Sequence, residues 1–302
     1  ITALPTGSTI EMFGDGNTVN GILEYAYSTA TAAQTITLSG GTTNGGTANI
    51  TATSSAGVTT ATINSTGAAN KVDTIKLDSA GGGTVTSLTV NATTGLTATL
   101  TAGDFAATSA LDVDGAGAVD LGSAANFKTI DGSGNSGGLT IALGTNSTSF
   151  VGSTGNDTVT TAVTAGTAAG STDGGIGTDT LVVNAVTDVD TAAEGAEYTG
   201  FEGLTVAGTL DVSHVAGSMT YVNVTGTSTL TNMSAALAGA VTVTADAGAS
   251  TFALKTATGT SDVISLTMGT GLTTSEATDF TGALTVTGFE TLNITTAAGP
   301  SA

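Results

Sequence analysis

Along most of the chain apolar residues alternate with threonine or serine, at Ile36/Leu38, Ile50, Ile63, Ile75/Leu77, Leu88/Val90, Leu96/Leu100, Leu111/Val113, Val119/Leu121, Ile130 and Leu139/Ile141/Leu143. A period of two is that of a half-buried strand, whose neighbouring side chains point to opposite faces, whereas a helix repeats every 3.6 residues. The clusters recur about every 8 to 14 residues, with glycine, asparagine and aspartate between them, a spacing that suits an all-β sandwich, barrel or solenoid. Residues 39 to 70 have the Gly, Thr, Ser, Ala and Asn composition of a flexible linker. Ile50, Val58 and Ile63 nevertheless keep the regular apolar spacing and predict strands there. Asn232 to Ala240 reads as one or two helical turns, and Tyr25 and Tyr27 share one strand face as packing residues or, alternatively, as a subunit contact.

Composition narrows the architecture. Glycine supplies 44 of 302 residues, aromatic residues are 4%, and tryptophan is absent. Side chains this small cannot fill a wide globular core, but they can fill the narrow interior of a stacked coil. Immunoglobulin-like sandwiches usually bury a tryptophan and carry many turn prolines, whereas Pro5 and Pro300 are the only prolines here. The expected fold is therefore all-β, a parallel β-solenoid in which like residues stack in ladders, with tandem sandwiches as the alternative.

Charge sets the classes of partner. The 24 acidic residues face four lysines, Lys71, Lys76, Lys128 and Lys255, and no arginine, for a formal net charge of -20. Such a chain has no basic stripe for a phosphate backbone, so nucleic-acid binding is excluded, and anionic membrane surfaces repel it. Divalent cations are the obvious counter-ions. No apolar run reaches the roughly 18 residues that a membrane helix needs, so no membrane insertion is expected. The absence of cysteine fits a secreted protein that does not depend on disulfides. Ile1 is not an initiator methionine, and the chain reads as a mature or excised portion of something longer.

Two stretches carry candidate chemistry, Gly152 to Val159 and Gly174 to Leu181, which follow the nonapeptide G-G-x-G-x-D-x-U-x. Glycines allow positive φ and turn carbonyl oxygens inward, the aspartate adds a charged oxygen, and stacked turns can then form an oxygen cage suited to calcium. The candidate ligands are Asp157 and Asp179, with Gly152, Gly155, Gly174 and Gly177 as turn formers and carbonyl donors and Asn156 and Asp173 beside them. Ser153 departs from the second glycine of the motif. Asp157 and Asp179 are 22 residues apart, four more than two nonapeptides, so the array is interrupted. Asp112 and Asp114, in the densest acidic run, fall on one strand face and repel unless a cation lies between them. That run lacks the bidentate Glu of an EF-hand, with Ser123 at the twelfth position counted from Asp112. Asp131 to Gly138 reads as a structural turn, and Gly14 to Val19 as a worn nonapeptide with Asn17 at the aspartate position.

A longer repeat lies downstream. Gly200-Phe201-Glu202-Gly203-Leu204-Thr205-Val206 returns as Gly288-Phe289-Glu290-Thr291-Leu292-Asn293-Ile294, each behind an acidic turn, the second being Gly259 to Ile264. Phe201 and Phe289 are expected to plug corresponding corners of the coil, with Glu202 and Glu290 as ligands or solvated groups.

The paired nonapeptides, the two Gly-Phe-Glu stretches, the run Phe127 to Ile141 and the opening Ile1 to Gly7 together resemble bacterial surface-layer (S-layer) proteins of the RTX kind. The resemblance covers most of the chain loosely and Gly152 to Val183 in a motif-specific way. It implies a β-roll-like solenoid, exported by a type I secretion system and assembled with calcium into a lattice on a Gram-negative cell surface. The family's calcium-binding aspartates map to Asp157 and Asp179. On this reading residues 1 to 145 form a Thr/Ala/Gly-rich solenoid and 146 to 302 an RTX-like calcium-binding segment. The partners are further copies of the chain, in a lattice or filament, with cell-surface polysaccharide contacted through regions outside it. An RTX adhesin or matrix filament segment is the alternative. No lipopolysaccharide-anchoring domain is evident and no secretion signal is recognisable in Leu292 to Ala302, so both are expected to lie outside this span or to be absent.

Enzymatic activity is not expected. A β-helix lyase usually adds a basic residue to its carboxylates, and neither a nucleophilic triad nor a zinc site can be built around His214, the only histidine. Ice binding would need Thr-x-Thr at constant rung spacing, and Thr35/Thr37, Thr97/Thr99 and Thr242/Thr244 do not recur that regularly.

Overall fold

The computed structural model describes residues 1–14, 18–29, 31–41, 43–54, 57–78, 82–123, 127–162, 170–215, 219–268 and 280–296. The chain forms two compact units, Ile1–Thr167 with Ser171–Gly177, and Ala168–Gly170 with Thr178–Ala302. Asn17 lies outside the described residues.

The first unit contains β1 (Thr9–Phe13), β2 (Thr18–Ala26), β3 (Ala33–Ser39), β4 (Thr43–Ser54), β5 (Thr60–Thr66), β6 (Asn70–Lys76), β7 (Val85–Ala92) and β8 (Leu96–Leu100). It continues with β9 (Phe105–Asp114), β10 (Val119–Ser123), β11 (Phe127–Asp131), β12 (Leu139–Ala142), β13 (Ser149–Val151), β14 (Thr158–Thr160) and β15 (Thr172–Asp173). Odd-numbered strands build one sheet in the order β1-β3-β5-β7-β9-β11-β13-β15, and even-numbered strands another, β2-β4-β6-β8-β10-β12-β14. Neighbours in these sheets run parallel. Each coil therefore lays one strand on each sheet before the chain returns one rung further on, which is the parallel β-solenoid expected from the two-residue alternation.

The inward positions stack in columns. Ile10, Ile36, Ile63, Val90 and Val113 are successive register partners, all buried, and beside them run Ala61, Leu88, Leu111, Ile130 and Phe150. On the other sheet Ile50, Ile75 and Leu100 stack, as do Leu96, Val119 and Leu139. Small and branched aliphatic groups suffice because two sheets close on each other across a narrow interior. Wider places are filled by aromatic pairs, Phe105 with Phe127 at 4.6 Å between ring centroids and Tyr25 with Tyr27 at 5.9 Å. Both tyrosines are buried, in the packing role their spacing predicts, and the Tyr27 hydroxyl donates to the Ser8 carbonyl.

Outward positions stack as well. Thr9, Thr35, Thr62 and Thr89 form one column, while in the next Asn64 donates to Thr37 and Asn91 to Asn64. The hydroxyl column ends where β9 brings Asp112 opposite Thr89 and Asp114 opposite Asn91.

The second unit contains β16 (Thr180–Val182), β17 (Tyr198–Thr199), β18 (Gly203–Asp211), β19 (Tyr221–Met233), β20 (Val241–Val243), β21 (Ser250–Leu254), β22 (Val263–Met268), β23 (Leu284–Thr287) and β24 (Thr291–Thr296). Parallel pairing again runs rung to rung, β16-β18-β19-β20-β22-β24, with β21 between β19 and β23. Its inner columns are Leu204, Val222, Val241, Leu266 and Ile294, and Leu210, Leu230, Phe252 and Val286. The helical stretch anticipated at 232 to 240 is one short turn, α2 (Ala235–Ala238), whose first amides are capped by the Ser234 hydroxyl accepting from the Leu237 amide. A similar turn, α1 (Ala192–Gly195), is capped by Thr191 and Glu194 acting on each other's backbone amides.

Column burial has a direct test. Ile63→Ala is expected to lower unfolding stability by about 2–5 kcal/mol, whereas Thr62→Ala, one residue away but facing outward, should stay within about 0.5 kcal/mol. Urea unfolding followed by circular dichroism distinguishes the two; equal effects would contradict the assigned register.

Candidate functional site

At the first bend the Asp157 carboxylate points inward and is almost wholly buried. One oxygen accepts from the Ser153 amide at 2.6 Å, and the other accepts from the Ser153 hydroxyl at 2.8 Å and the Leu139 amide at 2.6 Å. Leu139 opens β12 on the preceding rung, so this aspartate staples two coils together. Burial pushes its carboxyl above the ordinary range, and the hydrogen bonds from Ser153 and Leu139 partly offset that. Ser153, which breaks the nonapeptide, is thus the residue that completes the staple.

The glycines of this bend are required by close approach between rungs. A Cβ on Gly152 would collide with the Gly174 carbonyl, and one on Gly155 would lie 2.5 Å from the Gly138 amide nitrogen. Gly175, at φ +93°, adds a left-handed turn that a side chain would strain. Asn156 is exposed, as are Asp173 and Gly177. Asp173 accepts from the Gly175 amide at 3.2 Å and so shapes its own turn.

Asp179 is fully buried. Its amide donates to the Glu202 carboxylate at 2.9 Å, and its carbonyl accepts from the amides of Glu202 and Gly203 at 3.0 and 2.8 Å. The same joint recurs at Asp262, whose amide donates to Glu290 at 2.8 Å while its carbonyl accepts from Glu290 and Thr291. The two Gly-Phe-Glu stretches are therefore one clamp used twice. Each glutamate side chain accepts from the backbone of an acidic turn in the rung before it, with Glu290 exposed to solvent and Glu202 half-buried. Phe201 is fully buried beside the first clamp, and Phe289 is half-buried in the last coil.

The exposed carboxylates have a different arrangement. Asp112 and Asp131 are direct register partners on β9 and β11, Asp114 stands two residues along β9, and the column continues through Val151 to Asp173. Rungs lie about 4.8 Å apart, which sets the spacing of these charges. Burial, then the charges of Asp114 and Asp131, raise the Asp112 carboxyl above its ordinary value. Asp131 is held below it by hydrogen bonds from the Ser133 hydroxyl and amide. It is the turn former the sequence suggests, and it is also the charge facing Asp112. The local sequence hides that pairing because coil length varies, 27 residues from Thr62 to Thr89 but 19 from Asp112 to Asp131.

Calcium takes 6–8 oxygen ligands. In this conformation the Asp157 carboxylate is occupied by three protein donors, and turning it toward an ion would strand two buried amides. The exposed aspartates of β9 and β11 suit a divalent ion better. Among the described residues no three His, Asp or Glu side chains converge tightly enough to hold one unaided, so water and backbone carbonyls would complete its shell.

A buried acid absent from the sequence candidates is Asp104, at the corner between β8 and β9. It is wholly buried, one oxygen accepts from the Leu77 amide at 2.5 Å, and the other has no hydrogen-bond partner. Burial first, and then the charge of the also buried Asp78, push its carboxyl up to about 6. The amides of Leu77 and Asp78 and the charge of Lys76 pull the other way. In the second unit His214 lies 3.6 Å from Asp211. A nearby cavity of about 210 Å³, lined by Val212, Ser213, Val215, Met219, Asn232, Ser234, Leu237 and Lys255, has no acidic or histidine side chain in its wall.

No family model matches the chain, and neither a curated protein nor a solved structure matches it.

Two outcomes follow from the buried acids. Asp157→Ala leaves the Ser153 and Leu139 amides unpaired and is expected to cost about 1–3 kcal/mol for each, read by urea unfolding. Because the folded-state pKa of Asp104 lies above its unfolded value, the folded protein binds the proton more tightly. Its contribution is complete below the ordinary carboxylate range and is lost as pH rises through about 6. Asp104→Asn should flatten the fall in Tm between about pH 4 and pH 7; an unchanged slope would assign that fall to other groups.

Proposed function

We propose that this chain is a structural subunit of an extracellular coat, a secreted surface-layer protein of the RTX kind that associates with further copies of itself in a calcium-dependent way. The observation that carries the reading is the pair of exposed aspartates Asp112 and Asp131, held on adjacent rungs with half-buried Asp114 alongside, on a rigid parallel coil in a chain of net charge -20. Carboxylates held one rung apart repel each other, and two such surfaces repel more strongly still. Bound calcium supplies positive charge and shared coordination where acidic columns of neighbouring subunits meet. Extracellular sites of this kind bind with dissociation constants on the order of 10⁻⁴ to 10⁻³ M, which suits an assembly governed by the medium.

Among the described residues no helix is long and apolar enough to cross a membrane. The large acidic excess disfavours nucleic acid as a partner, and the reading assigns no catalytic residue. Attachment to cell-surface polysaccharide belongs to regions outside this chain.

Light scattering and negative-stain microscopy test the reading. Millimolar calcium should produce large ordered assemblies that disperse on chelation. The double substitution Asp112→Asn with Asp131→Asn should raise the calcium concentration needed for half-assembly, while stability in chelator stays within about 0.5 kcal/mol. Particle size indifferent to calcium would overturn calcium dependence. A monomer in millimolar calcium at high protein concentration would indicate a spacer segment of an adhesin or matrix filament instead.

A further inference from the structure

Two cavities of the second unit share part of their walls. The larger, about 250 Å³, is bordered by Met233, Ser234, Leu254, Lys255, Thr256 and Asp262. Ser234 and Lys255 also border the cavity of about 210 Å³ that Val212, Val215, Met219 and Leu237 line. Both lie where the chain leaves the regular coil. The register of β19 against β21 shifts between Leu230 and Met233, and Asn232 takes a left-handed φ of +55° there, with its side-chain amide donating to Asp211 at 2.7 Å.

The larger cavity carries one charge of each sign, and the protein meets neither. Lys255 is the only lysine of the second unit, in a chain of 24 acids and four lysines, and among the described residues its ammonium makes no ion pair. Asp262 is fixed through its backbone, its amide donating to Glu290 at 2.8 Å and its carbonyl accepting from the amides of Glu290 and Thr291. Among the described residues no hydrogen bond reaches its buried Oδ2. The two charges border one cavity and do not pair across it.

A buried carboxylate oxygen without a donor costs free energy until one reaches it, and an ammonium in the same wall repels a metal ion. A simple anion is repelled by the carboxylate, and an apolar molecule meets neither charge. A zwitterion meets both. We propose that these cavities bind a free α-amino acid with an apolar side chain. Its ammonium donates to the Asp262 carboxylate, its carboxylate accepts from the Lys255 ammonium, and its side chain enters the smaller cavity past Ser234, against Val212, Val215, Met219 and Leu237. The Ser234 oxygen accepts from the Leu237 amide, which directs its own O–H to the ligand carboxylate. This site is independent of calcium-dependent assembly, and either can fail alone.

Isothermal titration of the whole chain with L-leucine tests the assignment. Saturable binding in the millimolar range or tighter is expected. It should weaken at least about tenfold for isocaproate, which lacks the ammonium, for isoamylamine, which lacks the carboxylate, and for glycine, which lacks the apolar side chain. Asp262→Asn and Lys255→Met should each weaken L-leucine at least about tenfold, with circular dichroism spectra unchanged. Asp262→Asn should bind isocaproate no more weakly than the unaltered chain does, and Lys255→Met isoamylamine no more weakly. Where a variant loses the fold, the comparison of the four probes on the unaltered chain decides. No saturable binding of L-leucine, equal binding of all four probes, or L-leucine binding unaffected in both folded variants overturns the site.

Discussion

The molecule depends on mutual cover between successive rungs. A parallel coil whose sheets face each other across a narrow interior has no deep core, so a side chain such as Ile63 is kept from water by its lateral neighbours Ile36 and Val90 and by the opposite sheet. This explains how a chain so rich in glycine, threonine and alanine, and so poor in aromatic residues, folds at all.

Stacking at this distance makes polar corners expensive, and the chain meets the difficulty by using acids as backbone acceptors. Asp157 holds the start of β12, Glu202 and Glu290 hold the acidic turns before them, and the buried Asn135 accepts from the amides of Gly137 and Gly138 while donating to the Gly117 carbonyl. A buried carboxylate or amide survives desolvation only when its lone pairs and protons are met, and these corners meet them from the adjacent coil. Asp104, with one oxygen that has no hydrogen-bond partner, departs from that pattern, and burial raises its carboxyl to about 6.

The acids therefore divide into two populations. Those at corners are spent on the coil's own backbone, while those on strands, above all Asp112, Asp114 and Asp131, stand on a regular outer surface where their charge acts on solvent, ions and neighbouring molecules. A rigid repeat that displays charge at fixed spacing is suited to periodic association.

Much of this was readable from residue order. Strict two-residue alternation marks strands wherever Ile, Leu or Val faces Thr or Ser, because strand geometry alone sets side-chain direction. Small side chains and scarce proline select a stacked coil over a sandwich, and the helical turn near Ala235 and the packing of Tyr25 with Tyr27 are equally local. Lateral register is another matter. Coils of 27 and 19 residues bring Thr62 beneath Thr89 and Asp112 beneath Asp131 by hydrogen bonds between distant segments. No local pattern encodes that difference, and for the same reason the inward turn of Asp157, the Glu202 and Glu290 clamps and the burial of Asp104 came only from tertiary structure: whether a carboxylate faces water or a neighbouring backbone is decided by what the adjacent rung places against it.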